Sequence, residues 1–145
     1  MKSIQKILNL GIAGILLFVF FTSSMNDESY KQSQLINKEW KAHSLVSTNF
    51  TIDLYADKEM KTTKFFDGVK LDEGIKCSYY LSDVIVDKFQ PENVGTNKSG
   101  KYIVRLTEDN TLHTAEILEL TDTMLIIRDL KSGSILRYIV VEKEK

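Results

Sequence analysis

The side chains of this sequence whose types suit acid–base, metal or nucleophilic chemistry are few: His43, His113, Cys77, the carboxylates Asp67, Asp72 and Glu73, and the pair Glu108 and Asp109. Metal binding by histidine needs rings that converge, for example at i and i+2 on one strand face. Neither His43 nor His113 has such a partner in sequence, and both read as exposed strand residues. Cys77 with either histidine would make a nucleophile and base, but it lies in an apolar stretch, where a lone cysteine is inert core. The carboxylates fall at turn signals and lack the alternating oxygen ligands of a calcium loop. No phosphate-cradling glycine loop and no nucleophile elbow occurs. The chemistry therefore points away from an enzyme and calls for no metal and no cofactor.

Aromatic residues are the stronger lead. Trp40, Phe65, Tyr79, Tyr80, Phe89, Tyr102 and Tyr138 come from most of the predicted strands, with Phe66 beside them. Brought together on one inner surface, these seven would line a pocket for a lipid, a small aromatic or a sugar. The competing role for the same side chains is to fill the interior.

The elements that must position them are strands. Lys101 to Thr107, Leu112 to Leu120, Thr123 to Asp129 and Ile135 to Glu142 are separated by short intervals of turn residues, the pattern of an antiparallel meander. In the first run Tyr102, Val104 and Leu106 alternate with Ile103, Arg105 and Thr107, the period of two of a strand with one buried face. In the last, both faces are apolar, which implies cover on both sides or a cavity. Upstream, a strand centred on Trp40 runs to about Val46. Another, from Lys61 to Phe66, ends in the turn Asp67-Gly68, and a long run extends from Ile75 to Phe89. Phe50 to Tyr55 fits a short strand or a helical turn. Counting it gives eight strands, enough for an up-and-down barrel with a small interior.

The 145-residue chain opens with a basic start (Lys2, Lys6), an apolar run from Ile7 to Phe21 and the polar patch Thr22-Ser23-Ser24. That is the layout of a secretory signal. The apolar run is short for a bilayer span, so cleavage after Ser24 is the first reading and a retained anchor at 7–21 the rival. Ser24 stands where a lipobox would need its cysteine. Loss of residues 1–24 removes two lysines and no acid, turning 19 basic against 20 acidic residues into 17 against 20, a net charge of −3. A weakly acidic domain is ill suited to nucleic acid or anionic membranes. Residues 25–35 read as a polar tether, and 36–145 as one domain whose single cysteine closes no internal disulfide.

Trp40 within Asn37-Lys38-Glu39-Trp40-Lys41 resembles the opening strand of a lipocalin. The closing meander, Ile117-Leu118-Glu119-Leu120-Thr121-Asp122-Thr123-Met124-Leu125-Ile126-Ile127 followed by Gly133 and Tyr138, completes the likeness. The whole mature domain resembles the lipocalin-like domains of small exported Bacteroidetes proteins. Lys38 departs from the pattern, since lipocalins proper carry glycine two residues before this tryptophan. The resemblance implies an all-β, antiparallel up-and-down meander forming an eight-stranded barrel or half-barrel behind an N-terminal signal helix. It also implies a periplasmic or secreted binding protein for a small apolar or amphipathic ligand. The alternative is a cell-envelope module that contacts a protein or glycan through its surface and has a filled interior. Asp122-Thr123-Met124 further resembles an O-glycosylation sequon of such exported proteins.

Overall fold

The computed structural model of the protein describes residues 28–42, 49–71 and 74–141. The signal or anchor expected at 1–24 lies outside them, as do His43, Asp72 and Glu73. Within the described residues, eleven strands follow in chain order: β1 (Tyr30–Lys31), β2 (Glu39–Ala42), β3 (Phe50–Tyr55), β4 (Glu59–Phe66), β5 (Val69–Lys70), β6 (Ile75–Ser82), β7 (Ser99–Gly100), β8 (Tyr102–Thr107), β9 (Leu112–Leu120), β10 (Met124–Asp129) and β11 (Ile135–Val140).

Eight of them close an antiparallel barrel. Each of β2, β3, β4, β6, β8, β9, β10 and β11 pairs with its neighbour in this order, and β11 returns to β2 through Tyr138↔Ala42, Ile139↔Lys41 and Val140↔Trp40. The expected up-and-down meander is thus present, and it is a full barrel rather than a half. Phe50–Tyr55 is a strand. β5 extends the β4 hairpin, whose two-residue turn is Asp67-Gly68. Both turn residues have positive φ, 47° and 78°, the mirror-image turn that matches strand twist and favours Asp-Gly.

Every second residue along these strands enters one core, made of Leu35, Trp40, Tyr55, Met60, Tyr79, Leu81, Ile103, Ala115, Ile117, Leu120, Leu125, Ile127 and Tyr138. One barrel end is plugged by residues 30–35, the stretch read as a tether. β1 pairs with β7, and a single 3-10 turn at Gln32–Gln34 carries Gln32 and Leu35 into the interior. The Gln32 amide nitrogen donates to Asp57 O at 2.9 Å and to the Tyr79 hydroxyl at 2.8 Å. Tyr79 in turn donates to Ala56 O at 2.6 Å, and Trp40 Nε1 donates to Leu35 O at 2.9 Å. A polar sequence can plug a barrel because each buried polar group finds a partner there.

Two expectations are corrected. The run from Ile75 stops being a strand at Ser82, whose hydroxyl accepts from Val84 N at 3.2 Å and donates to Val84 O at 2.7 Å. This side-chain turn competes with the ladder, and the apolar Val84 and Ile85 beyond it are exposed. The first strand, expected to run to about Val46, is described as far as Ala42, and its expected continuation lies outside the described residues. The last strand, expected to be covered on both sides or to face a cavity, is not covered on its outer face, where Ile135 and Ile139 are exposed.

Candidate functional site: the open mouth of the barrel

At the end opposite the plug the inner surface changes character. Phe66, Ile75 and Leu136 occupy inward positions by alternation with Met60, Cys77 and Tyr138, yet they are 52%, 43% and 40% exposed. The inner face is therefore reachable from solvent at this mouth. Outside the lip, Phe50 and Phe65, direct partners across β3 and β4, stack with ring centroids 4.8 Å apart. With Ala42, Asn49, Thr51, Lys64, Phe66 and Leu71 they line a hollow of about 360 Å³.

Below the lip lies a polar group set into the barrel wall. Asp53 on β3 is buried and accepts a hydrogen bond from Thr62 Oγ1 at 2.8 Å and another from the Tyr138 hydroxyl. Burial raises the Asp53 carboxyl above its ordinary value of 3.8, and these hydrogen bonds together with the Arg105 charge oppose the rise. Burial likewise raises the Tyr138 and Tyr55 hydroxyls, with Asp53 adding to both effects and Arg105 countering them. Arg105, half-buried on β8, alternates with the core residue Ile103 and so faces inward. Its field reaches Asp53, Tyr55, Tyr138, Cys77 and Asp129. Among the described residues, two buried side-chain polar atoms have no hydrogen-bond partner, and both belong to this set: Tyr55 Oη and Arg105 Nε.

The mouth and the polar set are adjacent. Asp53 pairs with Thr62, and the next inward pair along the same two strands is Thr51 with Lys64, both of which line the hollow. Two residues of strand span about 7 Å.

The seven aromatics expected to line a pocket divide between the two surfaces of the barrel. Trp40, Tyr79 and Tyr138 are inside: the first two fill the plugged end, and Tyr138 joins the polar set. Phe65, Tyr80, Phe89 and Tyr102 do not reach the interior. Phe65 is outward on β4, and Tyr80 lies between the inward Tyr79 and Leu81 and packs instead on Phe89 of the 83–98 loop at 5.2 Å. Tyr102 precedes inward Ile103 and therefore faces out. This loop accounts for the outward placement of Tyr80. It lends β6 and β8 a second apolar face, burying Tyr80 and Val104 from outside, so alternation alone could not choose the inner one.

His113, expected to be exposed, is half-buried and pairs with Arg105 across β8 and β9. Cys77 is buried, and burial raises its thiol above the ordinary value, with Asp53, Glu108 and Asp109 adding to the rise and Arg105 opposing it. Asp109 accepts from Thr107 and Thr111 within its own turn. Sequence reading missed Asp53, Tyr55, Thr62 and Arg105. Their only signal was a charge or hydroxyl at every second position of otherwise apolar runs, which ordinarily marks the solvent face.

This arrangement defines a closed up-and-down β-barrel with one plugged end and one accessible, polar-floored end. Compared with known protein families, curated proteins and solved structures, the chain matches none.

Proposed function

We propose that the protein is an exported, non-enzymatic binder of a small amphipathic molecule, held at the open mouth rather than deep in the barrel. The observation that carries this reading is the exposure of inward-facing Phe66, Ile75 and Leu136 around a buried polar floor. Ligand sites combine apolar walls with a few placed polar groups in this way, and eight strands enclose room for one small ligand. The plugged half serves as scaffold, its Trp40 and Tyr79 fixed by hydrogen bonds. Residues 1–24 supply the export signal, and the resemblance to lipocalin-like exported domains is consistent with both parts of the proposal.

Native mass spectrometry of the protein purified from its own envelope fraction tests this reading. A co-purifying small molecule is expected, displaced by N-phenyl-1-naphthylamine with a rise in the dye's fluorescence. Leu71→Asp, which puts a charge in the hollow, should weaken dye binding about tenfold. A bare protein that leaves the dye dark would end the proposal.

A second reading rests on β3, where Phe50, Ile52 and Leu54 point outward while Thr51, Asp53 and Tyr55 point in. An outward apolar strip on a barrel wall suits contact with an envelope protein. Co-purification of a protein lost on Leu54→Lys would favour it.

A further inference from the structure

The hydrogen-bonding inventory of the polar floor is one-sided. Asp53 already accepts from Thr62 and Tyr138. Asp129, the other inward carboxylate within the field of Arg105, accepts from Ser132 N at 2.7 Å and Ser132 Oγ at 2.8 Å. Among the described residues, both carboxylates in the field of Arg105 thus already have donors of their own. What lacks a partner among the described residues is Arg105 Nε–H, which can only donate, and the Tyr55 hydroxyl, which can donate or accept and is 1% exposed. An unsatisfied buried polar group is destabilising, so two of them facing one interior call for a matching group.

Resting on the binding reading above, we propose that the ligand is a small amphipathic carboxylate. Its carboxylate oxygens accept from Arg105 and Tyr55, and its apolar part lies against Phe66 and the hollow lined by Phe65 and Leu71. Arginine favours this partner because its planar donors match a carboxylate, and a charged acceptor strengthens each bond. A cationic head would bring a like charge to Arg105 and no acceptor for its Nε–H. An alcohol would satisfy fewer donors and carry no charge. Entry of the head requires side-chain adjustment at the floor, since both unpartnered atoms are buried.

The test uses three probes with one tail, decanoate, decanol and decylamine, titrated against the mature protein by calorimetry and competed with N-phenyl-1-naphthylamine. Decanoate should bind at least about tenfold more tightly than decanol, with decylamine weakest. Tyr55→Phe should weaken decanoate about tenfold while leaving decanol unchanged. Because that variant removes an unpartnered buried hydroxyl, its melting temperature should hold or rise, which separates a ligand contact from a purely structural role. Arg105→Met should abolish the preference for decanoate over decanol. Equal affinity for the acid and the alcohol, or a Tyr55→Phe protein that binds decanoate like wild type, would overturn the carboxylate inference and leave mouth binding standing. Failure of all three probes and of the dye would overturn both.

Discussion

Asp53 and Cys77 share a wall of the barrel, and burial acts on both in the direction of the neutral form. For Asp53 the consequence is a stability contribution of definite sign. The folded protein holds this proton to higher pH than the unfolded chain, so between the ordinary value of 3.8 and the raised folded value the folded state binds more protons. Stability from this group is complete below that window and is lost as pH rises through it, by about 1.4 kcal/mol for each pH unit the window spans. Asp53→Asn removes this contribution. In urea unfolding across the acid range, wild-type stability minus variant stability should fall with rising pH; a difference that climbs with pH would show that Arg105 outweighs burial. Asp57, Asp109 and Asp129, whose pKa values are lowered by hydrogen bonds from Lys98, Thr107 and Ser132, act oppositely and cancel in the comparison. For Cys77, a buried and protonated thiol is a poor nucleophile. Iodoacetamide at neutral pH should therefore label it far more slowly than it labels the urea-unfolded chain. Labelling at the unfolded rate would point instead to an activated, accessible sulfur. Sequence reading anticipated the buried cysteine from its apolar neighbours but not the buried aspartate, because Phe50-Thr51-Ile52-Asp53-Leu54-Tyr55 alternates in the sense opposite to a strand with an apolar inner face.

The strands themselves were legible wherever turn chemistry bounded them. Asp67-Gly68 fixed the end of β4, Thr121-Asp122 separated β9 from β10, and the closing meander fell in the expected order. Extent was lost where an apolar run crossed a turn made by one hydroxyl, as at Ser82. The plug was lost because its burial depends on partners far away in sequence, Lys98 O for Gln32 N and Tyr79 for the Gln32 side chain. Gly100 shows how closely these segments approach. A Cβ at this position would lie 2.4 Å from the Ser82 backbone, which has no flexible end to yield. Since Gly100 also pairs with Tyr30, the glycine lets β7 seat the plug against the end of β6. Gly100→Ala should cost about 1–3 kcal/mol, as overpacking does. Gly133→Ala offers a control with open space but a positive φ of 73°, whose cost is backbone strain of about 1 kcal/mol. Equal, small losses of melting temperature in both variants would refute the close-packing account of Gly100.

Closure of the whole barrel depends on its longest-range ladder. Hairpins such as β3–β4 and β9–β10 join neighbours in sequence, whereas the β2–β11 seam joins the two ends of the domain, through three register pairs among the described residues. Long-range closure costs more chain entropy than hairpin closure. One backbone bond extends the seam, Val141 N to Glu39 O at 2.9 Å. Local opening should therefore begin at this seam, with β2 and β11 amides exchanging hydrogen faster than those of β9 and β10. The candidate site gives that ordering a functional meaning, because its walls stand on both sides of the seam: Asp53 on β3, one strand beyond β2, and Tyr138 on β11, with Arg105 across the interior on β8. A ligand held among these side chains ties the seam shut, and binding to the closed barrel alone stabilises it by mass action. Hydrogen exchange with and without decanoate should show protection concentrated in β2, β3 and β11 and little change in β9 and β10. Uniform exchange across all eight strands would mean that the barrel opens only as a unit and that closure carries no local weakness. Protection confined to β9 and β10 would place any ligand away from the mouth.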